Sequence, residues 1–173
     1  RHMSLAAKKV PGRDAYPSDI FYTHARLLEN GCQHIGGGSI TMIPVVETRS
    51  GDITDYISTN IISICDGQLV LSLKKFNKGE RPAIDYGLSV SRLCGAVQSR
   101  EMKKVGIKIK QDLLSYLEIR DIYELVNLDD LGENMKNRMV EGQKILSKLN
   151  QYKYSPLTKE EMTTLFDDIK EVK

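Results

Sequence analysis

The hydrophobic period of this chain changes after Gly95, and that change limits the folds open to it more than any other feature. Before Gly95, short apolar runs rich in β-branched residues alternate with glycine and proline. After it, Met102, Val105, Ile109, Leu113 and Leu117 recur at intervals of three and four, and Leu131, Met135, Met139, Leu146 and Leu149 do so again beyond a break at Asn127 to Asp130. Such spacing places each set on one face of a helix. Strands followed by a run of helices predict two units.

In the first part, Met3 to Lys9 reads as a helix with no capping residue ahead of it, as if the chain began within one. Pro11, Gly12, Asp14 and Pro17 predict an ordered loop, and a helix follows from Ile20 to Glu29, with Asp19 as its cap and Asn30 and Gly31 as its end. Ser39 to Thr48, opened by Gly36, Gly37 and Gly38, reads as a strand whose Pro44 calls for an edge or a bulge. Thr59 to Cys65 and Gln68 to Leu73 read as two further strands joined by a tight turn at Asp66 and Gly67, and Ala83 to Val90 as a fourth. In the helical part, Gly106 and Gly142 each weaken a helix by up to about 1 kcal/mol relative to alanine. Thr158 and Glu161 have the spacing of a capping box for a last helix.

With 40% apolar and 28% charged residues and a mean hydropathy of −0.33, the composition predicts a soluble folded chain and excludes collagenous or low-complexity classes. The longest apolar runs fall far short of a membrane span. Net charge is +2, with 11 basic and 9 acidic groups up to Cys94 and 14 of each after it, so no basic field points to nucleic acid. Cys32, Cys65 and Cys94 are odd in number and widely spaced, which predicts no disulfide framework and fits a reducing cytoplasm. His2, His24 and His34 lack neighbours at metal-ligand spacing, so no metal site is expected. Gly36 to Gly38 lack the lysine and hydroxyl of a phosphate loop and read as a flexible lead-in to a strand. Arg92 closes a segment that alternates Leu88, Ser89, Val90 and Ser91. A guanidinium at a strand end beside two hydroxyls suits phosphate binding, while a surface salt bridge is the other reading that the residues leave open.

Pro11 to Tyr22 (PGRDAYPSDIFY), Gly36 to Asp52 (GGGSITMIPVVETRSGD), Thr59 to Gln68 (TNIISICDGQ), Arg81 to Arg92 (RPAIDYGLSVSR) and Tyr154 to Leu157 (YSPL) together resemble the alpha subunit of F-type ATP synthases. The resemblance is dense from Pro11 to Gln98 and thins through the helices. It implies an α/β fold: the second half of a RecA-like phosphate-loop core with a mostly parallel sheet (residues 1–98), followed by the start of an α-helical bundle (99–173). The family's N-terminal barrel, phosphate loop and magnesium-side acidic motif are expected ahead of Arg1, and more helices after Lys173.

Residue by residue, the resemblance implies that Arg92 is the arginine finger lent to the ATP site of an adjacent catalytic beta-type subunit, and that Ser89 is the activity-sensitive serine beside it. It implies that Ser63 and Gly67 shape the same interface near the phosphate, although Cys65 stands where the family usually has threonine. Arg81, Pro82 and Gln151 match positions beside the adenine of alpha's own nucleotide, with Lys153 in place of a second glutamine. The implied cofactor is ATP or ADP with Mg2+. The implied partners are the beta-type subunits of an alternating hexameric ring and a central stalk, which Leu128 to Leu131 would approach. Nucleic acid is not among them, and the membrane is met only through the assembled complex, on the cytoplasmic face of the cell membrane. The shortened segment between Glu29 and Gly36, the abundant lysines and Cys94 mark a diverged member. The alternative reading is a structural alpha-like paralogue in a rotary machine not devoted to ATP synthesis.

Overall fold

The computed structural model describes residues 1–123 and 132–166 and divides the chain into two compact units, Arg1–Gln68 and Leu69–Lys173. The break at Asn127 to Asp130 and the segment Leu128 to Leu131, expected to approach a stalk, lie outside the described residues.

The first unit contains helices α1 (His2–Ala6), α2 (Ile20–Leu28) and α3 (Tyr56–Ile64), and it ends in the short strand β1 (Gly67–Gln68). Helix α2 stops where the sequence predicts. The Asn30 side-chain amide donates to the carbonyls of Arg26 at 3.1 Å and Leu27 at 3.3 Å, and the Gly31 N–H donates to the Leu28 carbonyl at 3.0 Å. Carbonyls that a helix end leaves unpaired are thereby satisfied. Asp19 occupies the N-cap position, but its carboxylate makes no cap; it binds Lys9 Nζ at 2.7 Å instead.

Two strand expectations in this unit are overturned. Thr59 to Cys65 lies mostly within helix α3. Asp52 Oδ1 accepts from the N–H and hydroxyl of Thr54 in a local turn that leads into the helix, and the hydroxyls of Thr59 and Ser63 fold back onto the carbonyls of Asp55 and Asn60 at 3.0 and 2.7 Å. Hydroxyl side chains that bond within their own turn are compatible with a helix, and β-branching costs only a few tenths of a kcal/mol per residue. Packing of α3 against α2 decides the outcome. Ser39 to Thr48 is the second case. Apart from an antiparallel bridge between Gln33 and Ser39, no strand forms over it among the described residues. The glycines make the turn of that bridge. Gly37 and Gly38 have φ of 104° and 84°, and the His34 N–H donates to the Gly38 carbonyl at 3.0 Å.

In the second unit, Val70 to Ser72 runs antiparallel to Ala83 to Asp85, through the Leu71–Ile84 bridge, the Ser72 N–H on Ala83 O at 2.8 Å and the Asp85 N–H on Val70 O at 2.7 Å. The hairpin expected between Thr59 to Cys65 and Gln68 to Leu73 is therefore not formed: the first segment is helical, and residues 70–72 take Ala83 to Asp85 as partner. Gln68 itself lies in β1, and Leu73 opens helix α4 (Leu73–Asn77), capped by Ser72. Of Ala83 to Val90, regular strand is confined to the end, in β2 (Val90–Ser91).

Helices α5 (Arg100–Tyr123) and α6 (Glu133–Leu149) realise the two periodic stretches and pack on each other through buried Leu113, Tyr116 and Ile145. Gly142 explains its own presence in α6. A Cβ there would overlap Cβ and Cγ of Tyr116 and lie 2.6 Å from its Cδ2, so only glycine lets the helices approach this closely. The capping box of Thr158 and Glu161 forms as predicted at the start of α7 (Lys159–Thr164).

Candidate functional site

Helix α4 ends in a turn at Gly79, whose φ of 86° is the left-handed value favoured by glycine after a helix. The chain then passes through Glu80, Arg81 and Pro82. The half-buried Arg81 is held by several contacts. Its Nη1 donates to the carbonyls of Phe76 at 2.7 Å and Glu80 at 2.8 Å, and its guanidinium lies over the Phe76 ring at 3.7 Å. The cation thus satisfies the Phe76 carbonyl at the C-terminal end of α4, where positive charge is favoured, and the Glu80 carbonyl beyond the turn.

The backbone of Arg81 reaches the far end of the second unit. Its N–H donates to Asn150 Oδ1 at 2.8 Å, and its carbonyl accepts from the Gln151 N–H at 2.8 Å. The structure therefore brings Arg81, Pro82 and Gln151 together, with the side chains of Pro82 and Gln151 exposed. Asn150, which makes half of this junction, carries no signal that local sequence patterns could reveal.

Glu80 is a second residue without a sequence signal, because a charged side chain in a polar loop predicts exposure. It is only 7% exposed, and its Oε1 accepts from Arg120 Nη1 at 2.8 Å. Burial works against the charge on Arg120, but the hydrogen bond and charge of Glu80 outweigh it and hold the guanidinium above its ordinary value. Burial also raises the Tyr86 hydroxyl, helped by the Glu80 carboxylate. Glu80 and Arg120 border an open depression of about 440 Å³ that Lys78, Gly79, Leu146 and Asn150 complete.

Ser89 and Arg92 flank β2. The Ser89 hydroxyl oxygen accepts from the Val70 N–H at 3.0 Å, its N–H donates to Asp85 O at 3.0 Å, and its carbonyl accepts from Lys110 Nζ at 3.5 Å. Ser89 is thus a fixed point from which the strand carries the chain to Arg92, whose side chain is exposed. Ser63 and Gly67 belong to the first unit. Ser63 is exposed on the last turn of α3, and Gly67 lies in β1.

Among the described residues, no cluster of three or more histidine, cysteine or acidic side chains could hold a metal ion. No described helix is long and apolar enough to cross a membrane.

Among the described residues, short strands lie among helices and are followed by a helical pair, which fits an α/β chain. The profile of the ATP synthase alpha/beta family, nucleotide-binding domain, matches residues 1–91, and the chain belongs to that family. It is similar to ATP synthase subunit alpha of Syntrophomonas wolfei subsp. wolfei (strain DSM 2245B / Goettingen), with 41% identity over 173 residues, covering 98% of this chain and 34% of that protein. The chain spans about a third of the length of that curated relative. The resemblance drawn from the motifs is borne out.

Proposed function

We propose that this chain is part of a non-catalytic alpha-type subunit of a rotary F-type ATP synthase or ATPase, and that Arg92 acts in trans at the ATP site of an adjacent beta-type subunit. The observation that carries this reading is the 41% identity to an ATP synthase subunit alpha along nearly the whole chain. The local geometry supports it. Arg92 is exposed directly after β2, and the hydrogen bonds of Ser89 fix the strand that presents it.

Phosphoryl transfer spreads charge over the equatorial oxygens of the moving group, and a planar guanidinium that meets them in the transition state lowers the barrier. Ser89, Ser63 and Gly67 shape the approach to that group. Pro82 and Gln151 face the base of the subunit's own nucleotide, ATP or ADP with Mg2+, and Arg81 holds the loop that carries Pro82. The exposed faces of Pro82 and Gln151 fit a planar base, one offering an apolar surface and the other an amide. In this reading residues 1–98 complete a RecA-like core and 99–173 begin the helical domain. The subunit is a peripheral part of a membrane-bound complex, on the cytoplasmic face, with beta-type subunits and a central stalk as partners.

Subunit composition of the native complex, by affinity purification and native mass measurement, tests this. An alternating ring with a beta-type partner is the expected result; a homo-oligomer of this subunit alone overturns it.

A further inference from the structure

The ion pair of Glu80 and Arg120 lies one residue from the Arg81–Pro82 loop, and nothing in the proposed chemistry uses it. A carboxylate and a guanidinium withdrawn from water together are a poor source of stability, since well-packed apolar side chains serve as well or better. In some proteins what such a pair supplies is one defined geometry. Here the geometry is closed on several sides. The Glu80 N–H donates to Lys75 O at 3.1 Å, its carbonyl accepts from Arg81 Nη1, and its carboxylate reaches Arg120 on α5. Arg120 in turn lies over the Tyr116 ring at 5.7 Å, and Tyr116 is the residue against which Gly142 of α6 is packed. Arg81 then joins Asn150 and Gln151 just past the end of α6. The loop and the α6 terminus are thus tied to each other directly and also through α5.

We propose that Glu80 and Arg120 are positioning residues that hold Arg81 and Pro82 in register with Asn150 and Gln151, and thereby set how selectively this subunit recognises the base of a nucleotide. The inference rests on the nucleotide-binding reading given above. Neither side chain touches the base: Glu80 fixes the backbone of the loop, and Arg120 anchors Glu80 to α5. Glu80→Gln keeps the side-chain volume and removes the charge, so the tie to α5 falls from an ion pair to a neutral hydrogen bond without a cavity.

The test uses the complete subunit in its assembled complex, photolabelled with 2-azido-ATP, with ATP and GTP as competitors and labelling scored on this subunit. Amide exchange at Arg81 and Gln151 is followed in parallel. Glu80→Gln and Arg120→Gln should each weaken ATP competition roughly tenfold or more, move the ATP-to-GTP ratio toward unity and speed exchange at both amides. The exchanged pair Glu80→Arg with Arg120→Glu should recover part of the selectivity. An unchanged ratio in both single variants, with the unaltered subunit labelled normally, overturns the positioning role and leaves the nucleotide-binding reading standing. Absence of label on the unaltered subunit overturns that reading and this inference with it. Should Glu80→Gln prevent assembly, Glu80→Asp, which withdraws the carboxylate by one methylene, is judged by the same ratio.

Discussion

The backbone N–H of Gln151 donates to the carbonyl of Arg81 at 2.8 Å, and the side chain of the preceding Asn150 accepts the Arg81 N–H at the same distance. A loop that follows α4 and the segment that follows α6 are therefore paired almost like neighbouring strands. Asn150→Ala removes one of the two bonds. It should cost about 1 kcal/mol and raise amide exchange at Arg81 and Gln151 together. A change confined to Arg81 would show that the two bonds are independent.

Gly142→Ala separates helix propensity from packing. Alanine favours an isolated helix by about 1 kcal/mol, but its methyl group meets Tyr116, and overpacking of a core costs about 1–3 kcal/mol. The net effect should be a lower melting temperature. The loss should shrink when Tyr116 is also replaced by alanine, because the clash is then absent. A stabilised Gly142→Ala single variant contradicts the close approach of α5 and α6.

Ser89→Ala leaves the half-buried Val70 N–H without its acceptor. Destabilisation of about 1 kcal/mol in chemical denaturation is expected, with faster exchange at Val70. In the assembled complex, turnover should fall as well if the strand before Arg92 depends on this bond.

Arg92→Ala in the assembled complex should lower ATP hydrolysis by roughly 10³ to 10⁵ while leaving nucleotide binding at the catalytic site largely intact. Lysine should rescue poorly, because a point charge on a flexible stem does not reproduce the planar fork. Steady-state hydrolysis and equilibrium binding measured on the same complex check this, and near-normal hydrolysis removes Arg92 from the mechanism.

The cap of α7 should be sensitive to acid. The backbone and hydroxyl of Thr158 lower the Glu161 carboxyl below its ordinary value of 4.5, so the ionised form is favoured in the folded state. A depressed folded-state value means that the contribution is fully present above pH 4.5 and is lost as pH falls through the lowered value. Amide exchange in the first turn of α7 should therefore rise only in acid, and Glu161→Gln should flatten that dependence. A rise beginning near neutral pH would contradict the assignment.

How legible this chain was depended on where each element found its partners. Helices α5 and α6 were readable because three-and-four spacing over many turns is a local property, and so were the Asn30 and Gly31 stop and the Thr158 capping box, whose bonds close within a few residues. The segment Thr59 to Cys65 is mostly helical although its composition reads as a strand, because isoleucines and hydroxyls are compatible with either. Neighbouring α2 and the local hydroxyl bonds chose the helix. Ser39 to Thr48 had strand composition but found no ladder among the described residues, and composition cannot supply hydrogen bonds.

The residues of the Arg81 junction divide in the same way. Arg81, Pro82 and Gln151 could be named from motifs, and the family from their order along the chain. That Asn150 accepts the Arg81 N–H and that Glu80 is buried against Arg120 are decided by tertiary structure alone. A sequence records which groups can donate, accept or carry charge; which of them meet, and which are withdrawn from water, depends on chain segments far apart that only packing brings together.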